Sequence, residues 1–245
     1  MKFNTVVGDK RKSSFRRYRD LYYGDALLLE VLHVELALML ANSLHGALGL
    51  WLRSKLYRTL FASVGRGVVF GRNLTVRHPQ KIRIGKDVII DDNVVLDAKG
   101  EDNLGLTIGD RVYIGRQTIV YCKNGDITLQ DRVNISSNCQ VFSANHLTIG
   151  EGTVVGAFTY LLSGGEYDYA SRVPFCEQGG KPSKGDLNIG RNCWIGAHVV
   201  VTDAASIGEH CVIGAGAVVT KPIPPNSLAA GVPAKVVKSI EMRPE

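Results

Sequence analysis

Between Ile189 and Thr220 the aliphatic positions keep a count of six: Ile189, Ile195, Val201, Ile207, Ile213 and Val219. A Gly or Thr follows each of them, and Cys193, Val199, Ala205, Cys211 and Ala217 stand four residues after successive starts. An amphipathic helix would repeat near 3.6 residues and a half-buried strand every two. Neither period fits. A six-residue repeat predicts a parallel β-helix in which three short strands make one coil. Each aliphatic then points into a narrow core, and the small residue after it lets the chain turn a corner.

The same count extends backwards less perfectly. Val64, Phe70 and Val76 start coil one; Ile84, Ile90 and Leu96 coil two; Ile108, Ile114 and Val120 coil three. Leu129, Ile135 and Val141 start coil four, and Ile149, Val155 and Leu161 coil five. Coils six and seven are the perfect hexads. Inside a coil the step is always six, so every departure falls at the corner after the third strand. Those steps are 8, 12, 9, 8, 28 and 6 residues. Insertions collected on one side of a solenoid mark a binding face, and the loop from about Ser163 to Asp186 is long enough to predict function. After Thr220, Pro222, Pro224 and Pro225 are expected to end the repeat, leaving residues 221–245 as a tail that covers the last coil.

Residues 1–63 follow another pattern. A basic run, Lys10-Arg11-Lys12 with Arg16, Arg17 and Arg19, is interleaved with Phe15, Tyr18, Tyr22 and Tyr23. It predicts a solvated arm. From Ala26 to Leu52 the chain is Leu-rich and predicts helix, split near Asn42-Ser43 and Gly46. Glu30, His33 and Glu35 leave too short an apolar run for the roughly 20 residues of a bilayer span. The segment is expected either to cap the first coil or to lie in a membrane interface, with Arg53, Lys55 and Arg58 as a second basic flank.

Composition sharpens this division. The net charge of +6 belongs entirely to residues 1–66, which hold eleven Lys/Arg against five Asp/Glu. The five cysteines lack paired metal spacing, and Cys139, Cys193 and Cys211 occupy small-residue positions, which predicts buried thiols. An odd cysteine count without a cleavable leader predicts a cytoplasmic protein; on the interface alternative, residues 1–60 make it peripheral at the inner membrane face.

The hexads, the long loop and the ending IPPNSLAAGVPAK over residues 64–240 resemble the hexapeptide-repeat acyltransferases, specifically the polysaccharide and sugar O-acetyltransferase subgroup. The resemblance implies a left-handed β-helix over 64–220, a homotrimer with sites between subunits, and acetyl-CoA as acyl donor without a metal. It also implies a histidine general base in a loop pattern Gly-Gly-x-His-Asp-aromatic. This chain reads Gly164-Gly165-Glu166-Tyr167-Asp168-Tyr169. A phenol, with an intrinsic pKa near ~10, is a poor base at neutral pH. His146 stands five residues after Val141 and Glu166 five after Leu161. They are therefore expected at one corner on successive rungs, about 4.8 Å apart, with Glu166 or Asp168 orienting the imidazole.

By the same resemblance, Gly196, Ala197, Gly214 and Ala215 would admit the donor's pantetheine arm, Lys221 or Lys235 would meet its phosphate, and Glu177 and Gln178 would touch the acceptor. The expected reaction moves a short acyl group to a sugar or polysaccharide-precursor hydroxyl. The alternative is a catalytically degenerate trimer serving as a membrane-associated scaffold, for which Tyr167 speaks. Scattered histidines argue against a zinc site. Sixty-odd N-terminal residues are too few for a nucleotidyltransferase domain, and the basic arm alone is weak ground for nucleic-acid binding.

Overall fold

A computed structural model describes residues 12–241. Its body is a parallel β-helix of three sheets, each strand pairing with its equivalent one coil away. The first sheet runs from Ser63–Val64 to Leu187–Ile189, the second from Val69–Phe70 to Ser227–Ala230, and the third from Thr75–Arg77 to Val218–Val219. Every hexad start lies in one of three in-register columns. Val76, Leu96, Val120, Val141, Leu161, Val201 and Val219 are stacked partners in the third. All of the starts are buried except Val64, half-buried at the first rung. Sequestering each aliphatic contributes roughly 1.5–3 kcal/mol. That makes the period an energetic requirement of the fold.

The corners explain the small residues. A Cβ placed on Gly196 would come within 2.6 Å of the Ala215 backbone nitrogen on the next coil. Rungs are too close there for any side chain. Cys139, Cys193 and Cys211 are buried at the positions the repeat assigned them, and burial pushes the Cys193 thiol up to about 11.

The N-terminal segment forms three helices: α1 (Ser14–Tyr22), α2 (Leu28–Ala41) and α3 (Gly46–Leu56). Lys10 and Arg11 lie outside the described residues. The rest of the basic run is not a free arm, because α1 docks on coil one. The His78 amide donates to Tyr22 O at 2.8 Å, and the Arg77 guanidinium sits 4.5 Å from the Tyr22 ring centroid. The apolar segment caps the first coil. Val31, Val34, Ala37 and Ala41 turn inward over the first coil, where Tyr57, Phe61 and Phe70 close the core. The opposite faces of α2 and α3 expose Leu28, Leu32, Leu36, Met39, Leu48 and Trp51.

Arg53 departs from the second basic flank. It is buried and donates to the carbonyls of Phe70, Ala41 and Leu44 at 2.8, 3.1 and 2.8 Å, joining both helices to coil one. A guanidinium with three carbonyl acceptors is needed inside the cap, so it is not available to a headgroup. Among the described residues no helix is long and apolar enough to cross a membrane.

The prolines after Thr220 do not end the stack. Ile223 bridges Ile207, and Ala229 pairs with Ile213, so two of the three columns gain another rung, Ile223 after a short step from Val219 and Ala229 six residues later. The prolines flank these positions, and the Ile223 amide still donates to Ser206 O at 2.9 Å. The chain then folds back as an antiparallel strand, Lys235–Ser239, against Ser227–Ala230.

Candidate active site

The corner between the third and first sheets carries all the long connections. It runs as one edge along the molecule: residues 78–81, then 98–105, 123–125, 144–145 and 164–186. The last of these is the long loop, and its two ends are tied together by a residue that the sequence did not single out. Asp203, buried on the following coil, accepts from the Gly164 amide (2.6 Å), the Ser183 hydroxyl (2.6 Å) and the Lys184 amide (2.7 Å). Such a clamp fixes where the loop leaves and rejoins the edge.

His146 opens the strand His146–Ile149 on the rung just before this loop. Its ring is exposed, its carbonyl accepts from the Ser163 hydroxyl at 3.0 Å, and its Nδ1 lies 3.4 Å from Asp126 Oδ2. Asp126 is the in-register partner of His146 on the preceding rung. Its other oxygen accepts the amides of Leu104 and Gly105 at 2.7 and 2.8 Å, so the carboxylate is held in place before the imidazole meets it. An exposed imidazole beside a fixed carboxylate is the arrangement from which a general base can be built.

Glu166 and Asp168 do not occupy that position. Glu166 pairs with Lys184 at 2.5 Å and Asp168 with Lys181 at 3.2 Å, both within the loop. The Lys181 ammonium holds the Asp168 carboxyl below its ordinary range, and Glu166 raises the Lys184 ammonium. The equal offset of His146 and Glu166 was a real feature of the strands, since Gln140 to Ser143 pairs in register with Tyr160 to Ser163. The chain, however, turns outward at Gly164 and Gly165, both left-handed at φ 86° and 90°, before Glu166 can continue the rung. Asp126 could have been found by counting back a coil rather than forward.

Tyr167 is exposed and lies edge-on to Phe175, with ring centroids 5.9 Å apart. Gln178 is used inside the loop. It accepts from the Asp168 amide at 2.8 Å and donates to Asp168 O and Val173 O. Glu177 is exposed beside it.

The donor-side residues occupy a different edge. Gly196-Ala197 and Gly214-Ala215 turn the corner between the second and third sheets on coils six and seven. Next to them His198 stacks flat on Phe158 at 4.9 Å. Lys221 and Lys235 are exposed near the carboxyl end. The chain by itself therefore does not bring the donor-side glycines and His146 onto a common edge. Among the described residues no group of three His, Cys, Asp or Glu side chains is placed to hold a metal ion.

Comparison with known proteins agrees with this architecture. Residues 186–221 match the bacterial transferase hexapeptide (six repeats) family. The galactoside O-acetyltransferase of Escherichia coli is 30% identical over 135 residues, covering 55% of this chain and 57% of that protein. A putative acetyltransferase of Staphylococcus aureus, SAR2635, is 39% identical over 130 residues, 46% of this chain and 65% of that one. The chain thus spans less than two thirds of the length of these curated relatives. Among solved structures, AntD, an N-acyltransferase from Bacillus cereus in complex with dTDP and 3-hydroxybutyryl-CoA, superposes with a TM-score of 0.54. It is 24% identical, and the match covers 82% of this chain and 91% of that one. That likeness is one of fold.

Proposed function

Residues 186–221 match the bacterial transferase hexapeptide family, and from that likeness and the β-helix we propose that the chain is an acyltransferase. In this reading it moves an acetyl or other short acyl group from acyl-CoA to a hydroxyl of a sugar or cell-surface polysaccharide precursor. The observation that carries the reading is the exposed His146 ring with Asp126 3.4 Å from its Nδ1, beside the long loop. His146 Nε2 removes the acceptor hydroxyl proton as the oxygen attacks the thioester carbonyl. Asp126 stabilises the imidazolium and keeps the free tautomer with its proton on Nδ1. Collapse of the tetrahedral intermediate breaks the C–S bond, and the proton returns from His146 to the departing thiolate.

The separate edges of base and donor residues favour a site shared between copies. A further support is an apolar ladder on the outer face of the second sheet, where Val154, Trp194 and Val212 are in-register neighbours and Trp194 is 62% exposed. A homotrimer would cover that ladder and bring the Gly196 and Gly214 corners of one copy toward the His146 edge of the next. Lys221 or Lys235 would then meet the donor phosphates. The exposed apolar faces of α2 and α3 support a peripheral position at the cytoplasmic face of a membrane, where acyl-CoA is available.

Release of free thiol from acetyl-CoA, measured with a panel of hydroxyl sugars and amino sugars, tests the activity. Turnover with hydroxyl acceptors and not with amines is expected. Preference for the amine would replace oxygen by nitrogen as the acceptor atom. Bound CoA without turnover on any acceptor would favour the second reading, a scaffold that kept the β-helix and lost its base, which Tyr167 in the place of a loop histidine suggests.

A further inference from the structure

The edge that carries His146 also carries, on the rungs before it, a cavity of about 920 Å³ between α1 and the corners that follow coils one to three. Six cationic side chains line it, from two sides. Arg16, Arg19 and Lys12 come from α1 and its approach. Lys81, Lys99 and Lys123 come from three successive corners of the β-helix. Lys12 is neutralised by Asp20 at 2.7 Å. Lys81 is spent on the carbonyls of Gly100 and Glu101 and on Asn103. Arg16, Arg19, Lys99 and Lys123 have no carboxylate partner among the described residues, and the buried Arg19 Nε has no hydrogen-bond partner there. Lys99 is half-buried, and that burial lowers the affinity of its amine for a proton. His78 lines the same cavity almost fully buried, with an Nδ1 that lacks a hydrogen bond and sits 3.7 Å from Asp97 Oδ1.

Arg16 and Lys123 are exposed and Arg19 and Lys99 half-buried, and a cleft lined by cations without carboxylate partners draws an anion. Five carboxylates also line the space, of which Asp20 holds Lys12 and Glu30 accepts the Leu27 amide. Asp25, Glu101 and Asp102 remain as acceptors for hydroxyl groups. A second, apolar cleft of about 320 Å³ adjoins the first, sharing Ala26, Glu30 and Gln80 with it and adding Leu29, Val34 and Leu60. Leu29 leads onto the exposed outer face of α2. The cavity thus offers cations and hydroxyl acceptors, and an apolar trough adjoins it toward the cap.

We propose that this cavity binds the phosphate of a sugar joined through phosphate to a lipid, with the lipid chain in the adjoining cleft and on the outer face of α2. The proposal rests on the acyltransferase reading for its purpose, since it names the class of acceptor. Lys123 is three residues from Asp126, and Asp126 faces His146 across one rung of about 5 Å. A glycan whose phosphate sits at Lys99 and Lys123 extends along the edge directly to the imidazole.

The test is a binding measurement, which does not depend on turnover. Phosphatidylinositol is the probe, because it joins a polyol through a phosphodiester to acyl chains. Wild-type protein is co-sedimented with phosphatidylcholine vesicles with and without phosphatidylinositol, and glucose 1-phosphate is titrated by calorimetry as the soluble counterpart. We expect selective binding to the phosphatidylinositol vesicles, reduced at least tenfold in the double variant Lys99→Gln/Lys123→Gln and also in Leu29→Gln/Leu32→Gln. His146→Ala should bind as wild type. Thermal melts establish that each variant is folded. Unchanged vesicle binding in the folded Lys99/Lys123 variant would overturn the phosphate site. Binding of glucose 1-phosphate as tightly as the vesicles, indifferent to the Leu29/Leu32 change, would overturn the lipid assignment. Failure of acyl transfer with the binding pattern intact would count against the activity and leave the phosphate site standing.

Discussion

On the proposed reading the chemistry turns on His146 and Tyr167, which make opposite forecasts. His146→Ala should lower kcat by about 10²–10⁴-fold with little change in KM for the donor, the usual contribution of positioned proton transfer. Tyr167→Phe should leave the rate near wild type in the same thiol-release assay. A large loss in the phenylalanine variant with an active alanine variant would assign the base to the loop. Asp168 offers a separate handle. Its carboxyl is held low by the Lys181 ammonium, so the pair's contribution is complete above the ordinary carboxylate range and is lost as pH falls through the lowered value. Both groups are exposed, so the effect belongs to the loop and not to global stability. Protease cleavage in residues 164–186 should be constant from neutral pH down to about 4 and rise below it. At this scale the place of His146 at the loop-bearing corner was legible in the sequence, and Asp126 beside it was not. A residue offset identifies a corner, but whether the next rung is occupied depends on where the chain departs, and the left-handed Gly164 and Gly165 decide that. Asp203 was hidden for a similar reason. Its three donors come from both ends of a loop about twenty residues long.

Among elements, the strands were almost fully legible, because a core only one side chain deep punishes any polar intrusion. Ile195→Asp would place an unpaired charge at a position that is 0% exposed. It should cost several kcal/mol and prevent cooperative folding, as read by circular dichroism. The cap was legible as helix, not as attachment. Arg53 looks like a surface charge in the sequence and acts as the fastening between α2, α3 and Phe70. Arg53→Met removes three donors and leaves buried carbonyls behind, a loss on the order of 3 kcal/mol. A melting point lowered by several degrees, with the β-helix signal retained until the transition, is the expected result. The continuation at Ile223 and Ala229 was missed because proline was weighed as a breaker. On this lattice a residue that need not donate can stand beside one that does.

For the whole molecule, the separation of the donor-side corner from the His146 edge leads to a test by mixing. Ala215→Trp blocks the exposed corner of coil seven, and His146→Ala removes the base. Each alone should be inactive. Co-expressed, they should recover part of the activity, because some interfaces pair an intact base edge with an intact donor corner. Purified mixtures that stay inactive while assembling would confine the site to one copy. The fold made this question visible, since three flat sheets give three edges, and the sequence placed its two motifs on two of them.

The stacked corners also make the molecule a ruler. Each rung adds about 4.8 Å, and the rungs cannot slip without burying the wrong face of every strand. Lys99, Lys123 and His146 sit on consecutive graduations of a single edge, so on the proposed reading the distance from an anchored phosphate to the point of reaction would be set by counting coils, near ~10 Å from Lys99. Position along a glycan would then be selected by length rather than by the local shape of any one sugar. Inserting a whole coil between residues 123 and 126 would shift modification outward by one graduation and keep Asp126 in register beside His146.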